Sequence, residues 1–144
     1  MSVDNEPLDS PVDWVAKHTR RYVETNGEEG HMWRGVPTLI LTTTGRRSGK
    51  LRRNALIYGR DGDNYLLVAS KGGAAQHPMW YLNLVDNPEV QVQVGPERFT
   101  ARARTATPEE KPRLWALMAQ IWPAYNEYQT KTARDIPVVI LEPS

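Results

Sequence analysis

Between Thr42 and Arg53 the chain reads Thr-Thr-Thr-Gly-Arg-Arg-Ser-Gly-Lys-Leu-Arg-Arg, a glycine-punctuated stretch that sets Arg46, Arg47, Lys50, Arg52 and Arg53 around one turn. Glycines let backbone N–H groups approach an anion closely, and Arg and Lys add charge-assisted hydrogen bonds to phosphate or carboxylate oxygens. The chemistry is that of an anion clamp, with a solvated hairpin tip as the plainer alternative. A second loop, Ser70-Lys71-Gly72-Gly73, again joins glycine to a cation. Two such loops in one small domain suit a single polyanionic ligand. In Pro78-Met79-Trp80-Tyr81-Leu82-Asn83-Leu84, Met79 and Trp80 can flank a planar ring, Tyr81 and Asn83 can hydrogen-bond it, and Leu82 and Leu84 read as core. Trp122, Tyr125 and Tyr128 recur every third residue, which places them on one helical surface, and a Tyr hydroxyl donates at neutral pH.

The remaining composition excludes several kinds of chemistry. Lys and Arg number 18 against 17 Asp and Glu, a formal charge of +1, so the positive charge is local and the chain is no nucleic-acid-coating polycation. There is no cysteine, hence no disulfide, thiolate zinc site or Cys nucleophile, and His18, His31 and His77 make no metal-ligand spacing. Ser48 and Ser70 have no His or paired acid at a hydrolase spacing. With few strong acid–base groups of its own, the chain points to a cofactor that carries the chemistry. No apolar run reaches the roughly 20 residues a membrane span needs, and the start of the chain lacks a secretory pattern, so a cytoplasmic location is the default.

The elements that must position these residues follow from spacing. Ser10-Pro11-Val12-Asp13 reads as a helix start, and Val12, Val15, Thr19, Tyr22 and Val23 then recur at helical intervals beside Lys17, Arg20 and Arg21. This amphipathic helix is expected to pack on the core, with a weak contact to the inner membrane face as the other use of its Trp14 and basic face. Strands are expected at Pro37–Thr44, Leu51–Gly59 and Tyr65–Ala69, forming a meander, and again at Glu89–Val94, Arg98–Thr105 and Ile136–Leu141. In the fourth strand Val90, Val92 and Val94 face inward and Gln91 and Gln93 outward, and in the fifth Arg98, Arg102 and Arg104 form an exposed face. A short helix is expected over His77–Val85. Thr107 and Glu110 form a capping box, and Pro123 separates the helix it opens from a further turn over Trp122–Thr130. Tight turns between consecutive strands disfavour a doubly wound parallel sheet. The chain should form one mainly β (α+β) domain, an antiparallel barrel of about six strands with flanking helices. Residues 1–35 supply a helix and loop, and residues 36–144 the barrel.

Together Thr42-Thr43-Thr44-Gly45-Arg46-Arg47-Ser48-Gly49, Ala69-Ser70-Lys71-Gly72-Gly73 and Pro78-Met79-Trp80-Tyr81-Leu82-Asn83-Leu84 before Asn87-Pro88 resemble the deazaflavin (coenzyme F420)-dependent nitroreductase family of actinobacteria. The resemblance implies a split β-barrel of the flavin-reductase kind. It implies binding of reduced coenzyme F420 and hydride transfer to a quinone, nitroaromatic or other conjugated acceptor. By the same resemblance Arg46, Arg47 and Ser48 hold the anionic side of the cofactor, with Lys50, Arg52 and Asn54 nearby. Ser70 and Lys71 match the motif that lies by the deazaflavin, and Met79, Trp80, Tyr81 and Asn83 match its other contact segment. Tyr125 and Tyr128 stand at the substrate mouth, and Ser70, Tyr125 and Tyr128 are the candidate catalytic donors. Trp122 stands where a tyrosine is found in the nitroimidazole-activating relative, and Ile57 replaces another. These departures bear on nitroimidazole activation and leave cofactor binding intact. An FMN-dependent reductase and a non-catalytic F420 or lipid carrier are the alternatives.

Overall fold

The computed structural model describes residues 8–9 and 13–144, with side chains from Ala16 onward; the expected helix start at Ser10-Pro11-Val12 lies outside the described residues. Strand β1 (Leu8–Asp9) precedes helix α1 (Asp13–Glu24). Helical spacing buries Ala16, Thr19 and Tyr22 and leaves Lys17, Arg20 and Arg21 exposed. The Tyr22 hydroxyl donates to the Thr38 carbonyl at 2.9 Å and accepts from the Gly95 N–H at 2.7 Å, so one fully buried side chain fastens the helix to the strands beneath it.

β2 (Met32–Trp33) and β3 (Val36–Thr44) form a tight hairpin, and β3 pairs antiparallel with β4 (Leu51–Ile57) across the basic turn. The expected meander does not continue from there. Strand β4 stops at Ile57, β5 (Gly59–Asp61) restarts after Tyr58, and β5 turns back into β6 (Asn64–Val68), which pairs with β9 (Val138–Pro143) and not with β4. Two local features break the strand. The Tyr58 ring turns into the core, 9% exposed. A Cβ at Gly59 would lie 2.6 Å from Met118 Sδ and 3.0 Å from Ile121 Cδ1, so the bare glycine lets those side chains pack directly on the backbone.

The hydrogen-bonded path runs β1-β4-β3-β7-β8-β9-β6-β5, with β7 (Glu89–Val94) and β8 (Glu97–Thr105) between β3 and β9. β4 and β5, near opposite ends of that path, are separated in the chain by Tyr58 alone. The sheet must therefore curl until its ends meet: a split antiparallel barrel, in which β3, β4, β6, β7, β8 and β9 are the long strands. β6 and β9 are covered on both faces, which is why they read as unbroken apolar runs. Tyr65, Leu67, Val139 and Leu141 face the barrel interior with Trp80 and Leu84 of α2 (Met79–Asp86). Leu66, Val68, Val138 and Ile140 face outward under Leu114 and Met118 of α3 (Lys111–Ile121) and Tyr125 of α4 (Ala124–Thr130). Pro123 divides α3 from α4 as expected, and Thr107 and Glu110 exchange both bonds of the capping box, at 3.0 and 3.3 Å. Gln93 departs from its expected outward place: it is buried, and its amide donates to the Gly95 carbonyl at 3.0 Å. The last strand begins at Val138, because the N–H of Ile136 is already taken by the Gln129 side chain.

Candidate active site

A cavity of about 850 Å³ opens where β4, the loop after β6, the start of α2 and the α3–α4 corner converge. Each wall has a local cause. β4 lies beside the gap in the barrel, and Arg52, Asn54 and Ile57 reach the cavity from it. After β6 the chain leaves the sheet through Ser70, at φ −81° and ψ −39°, and then takes the left-handed region at Lys71 (φ 47°), Gly72 (φ 63°) and Gly73 (φ 85°). Gly73 must be glycine, since a Cβ there would lie 2.7 Å from the Tyr128 carbonyl oxygen; that close approach draws the loop against α4. Pro78, Met79, Trp80 and Asn83 close a third side, with Met79 58% exposed at the rim and Trp80 buried. Trp122, Tyr125 and Tyr128 close the fourth.

The sequence-predicted residues fall into two groups. Arg52, Asn54, Ser70, Lys71, Met79, Trp80, Asn83, Tyr125 and Tyr128 all line this cavity. Arg46, Arg47, Ser48 and Lys50 are exposed on the β3–β4 turn and do not line it. The turn is shaped by its own bonds: Gly45 N–H to Lys50 O at 2.7 Å, Gly49 N–H to Gly45 O at 2.8 Å, and Lys50 N–H to Ser48 Oγ at 3.2 Å. Asn83 couples the two groups. Its side chain is buried, its Oδ1 accepts the Arg46 N–H at 3.1 Å, and its Nδ2 donates to Thr43 Oγ1 at 3.2 Å. The cationic turn is thus pinned to a residue of the cavity wall. Tyr81 lies outside the lining, with its hydroxyl bonded to Thr105 Oγ1 at 2.9 Å and its ring 4.8 Å from that of His77.

The cavity holds several side chains that the motifs did not single out. His18 of α1 reaches it, oriented by a 2.7 Å bond from Nε2–H to the Gly30 carbonyl, and Trp33 of the β2–β3 hairpin stands 5.5 Å from Trp122, ring to ring. Arg53 and Thr38 line it as well. The N-terminal segment is therefore part of the site wall. Nothing local in the sequence marks His18 or Trp33, because both act across long chain separations.

Burial raises the Tyr125 hydroxyl well above the usual phenol range, and the neighbouring Tyr128 adds to the shift, so Tyr125 remains a proton-bearing donor at every physiological pH. The N–H groups of Ser70, Lys71 and Gly72 find no protein acceptor among the described residues. A right-handed residue followed by a left-handed one turns such donors into one concavity suited to an anionic or carbonyl oxygen. With Arg52 and Lys71 at the rim and Ile57, Trp80 and Trp122 in the walls, the donor set fits a ligand that is flat and conjugated at one end and anionic at the other. No helix among the described residues is long and apolar enough to cross a membrane.

Similarity to known proteins bears on the chain's family. The F420H(2)-dependent quinone reductase family matches residues 14–143. An F420H(2)-dependent quinone reductase of Mycobacterium tuberculosis (strain ATCC 25618 / H37Rv) is 44% identical over 134 residues, covering 90% of each chain. A solved F420-H2 dependent reductase is 45% identical, covers 74% of this chain and 94% of its own, and superposes with a TM-score of 0.69. A second solved structure, described as a domain-swapped dimer, is 43% identical, covers 92% and 100% of the two chains, and has a TM-score of 0.71.

Proposed function

The chain belongs to the F420H(2)-dependent quinone reductase family, and from that premise we propose that its cavity seats the ring of reduced coenzyme F420 against a quinone-type acceptor. It is an F420H2-dependent oxidoreductase. The bound cofactor supplies the hydride; the side chains supply binding, orientation and exclusion of water. The observation that carries the reading is the union of a cation-flanked turn with an aromatic cavity through Asn83.

In this reading Arg46, Arg47, Ser48, Lys50 and Arg52 hold the anionic part of the cofactor, and Asn54 lies beside them. Guanidinium forks suit phosphate and carboxylate oxygens, and an exposed turn admits a long flexible tail. Met79, Trp80 and Asn83 hold the ring from one side and Ser70 and Lys71 from another, while Tyr81 braces the helix behind them. The acceptor lies toward Trp33, Trp122, Tyr125 and Tyr128. A quinone or nitroaromatic gains negative charge on an oxygen as it is reduced, and the Tyr125, Tyr128 or Ser70 hydroxyl stabilises that oxygen by a hydrogen bond. Holding both reactants in one closed space is the larger effect, since effective molarity can supply roughly 7–11 kcal/mol.

The clamp is tested by fluorescence titration with oxidised F420. Replacing Arg46 and Arg47 together by alanine should raise the dissociation constant at least tenfold with the melting temperature unchanged, since both side chains are exposed. An unchanged constant would remove them from the site. The described part of the N-terminal segment, residues 13–35, serves in this reading as a cover on the 36–144 barrel. Contact of α1 with the inner face of a membrane is a separate proposal, supported by the exposed Lys17, Arg20 and Arg21 and tested by co-sedimentation with anionic vesicles.

A further inference from the structure

Arg134 does not line the cavity, yet four of the five N–H groups of its guanidinium are spent on the segment between Ala69 and His77, whose Ser70, Lys71 and Gly72 do. Nε–H donates to the Ala74 carbonyl at 2.9 Å, Nη2–H to the Ser70 carbonyl at 2.8 Å, and Nη1–H to the Ala69 carbonyl at 3.2 Å and to His77 Nδ1 at 3.1 Å. The base of the arginine is fixed in turn. Its own carbonyl accepts from Gln129 Nε2 at 2.8 Å, and the same amide takes the Ile136 N–H on its oxygen at 3.0 Å.

These bonds set the direction of the groups that face the ligand. A trans peptide is planar, so its N–H points opposite to its C=O. Because the carbonyls of Ala69 and Ser70 turn toward the guanidinium, the N–H groups of Ser70 and Lys71 turn away from it, and both residues line the cavity that Arg134 does not. Lys71 holds φ 47°, a left-handed conformation that is strained for a non-glycine residue and persists only where the surroundings enforce it. A planar fork with five donors can gather three carbonyls at once, whereas an ammonium on a flexible stem cannot hold them in one arrangement. Through His77 the same guanidinium also reaches the segment that leads into Met79 and Trp80.

We propose that Arg134 is a positioning residue of the cofactor site, which aims the N–H groups of Ser70 and Lys71 at a carbonyl or anionic oxygen of the bound cofactor. The inference rests on the cofactor reading given above and adds a residue that never touches the ligand. It is tested on the full chain by titration with oxidised F420, read by fluorescence, in wild type, Arg134→Gln and Arg134→Lys, with the dissociation constant and the binding stoichiometry per folded molecule both measured. The expected result for Arg134→Gln is a dissociation constant raised at least tenfold at unchanged stoichiometry, with Arg134→Lys intermediate and the KM for menadione within twofold of wild type. A merely structural role would lower stoichiometry or melting temperature and leave the constant of the folded fraction alone, and that result overturns the proposal. If Arg134→Gln does not fold, Arg134→Lys decides: a wild-type constant overturns the proposal and one raised at least threefold supports it. Absence of F420 binding by the wild type would instead overturn the cofactor reading, and with it this inference.

Discussion

Tyr125 shows how burial selects a donor. It is 5% exposed, and desolvation pushes its hydroxyl pKa upward, so it can stabilise a developing oxyanion without itself ionising. Tyr125→Phe should therefore lower kcat for quinone reduction by about 10²-fold, the order found on losing one oxyanion donor. The dissociation constant for F420 should stay within twofold, and stopped-flow absorbance with fluorescence titration separates the two quantities. An unchanged kcat would move the donor role to Ser70 or Tyr128. The basic turn, the Ser-Lys-Gly-Gly loop and the Met-Trp pair were legible in the sequence because charge, glycine and aromatic bulk are local properties. Tyr81 was less legible: at about 100° per residue Met79, Asn83 and Trp80 share one side of the helix, and Tyr81 falls about 100° further round, where its hydroxyl meets Thr105. Arg134 was not legible at all. Its partners Ala69, Ser70 and Ala74 lie on a loop some 60 residues away (|i−j| 60 to 65), and no spacing rule spans that distance.

At the scale of elements, the α3 start is held by charge as well as by its cap. Arg104 on β8 grips Glu110 with two bonds of 2.7 and 2.9 Å, which makes one of three arginines expected on an open face a half-buried tie between strand and helix. Arg104 first, and then the Thr107 N–H, lower the Glu110 carboxyl from 4.5 to about 2. The folded value lies below the unfolded one, so the contact adds stability above about pH 4.5 and loses it as pH falls toward 2. Glu110→Gln should flatten the fall in melting temperature across that window while leaving the fall from other groups. A wild-type slope in the variant would show the ion pair to be without effect. The meander failed for an element-level reason. Consecutive strands usually pair, but β6 pairs with β9, Tyr65 opposite Leu141, and only the apolar content of both faces hinted that these two lie side by side under cover on both sides.

For the whole molecule, the N-terminal segment completes a cavity that the barrel alone leaves open. Tyr22 anchors it from beneath, while His18 and Trp33 reach the cavity from above. The Arg34 guanidinium sits 4.9 Å over the Trp33 ring, and that ring meets Trp122, so the hairpin carries a braced aromatic face to the cavity, at the end proposed for the acceptor. Trp33→Ala should raise the KM for menadione severalfold with F420 affinity unchanged. Weakened F420 binding with an unchanged KM would place Trp33 at the cofactor end instead. The barrel and its helices could be read from alternation and caps; closure of the site by residues 18 and 33 could not, because it depends on where the sheet's two ends meet. The central claim, that this cavity joins reduced F420 to a conjugated acceptor, is tested most directly by anaerobic mixing of the protein with F420H2 and menadione in a stopped-flow absorbance cell. Multiple-turnover recovery of the oxidised-F420 band is expected from the wild type, and its rate should fall at least about fivefold when Arg46 and Arg47 are both alanine and the cofactor is near the wild-type dissociation constant, since a constant raised tenfold leaves about one site in eleven filled. No recovery from wild-type protein that binds F420H2, across quinones, nitroaromatics and enones alike, would contradict it.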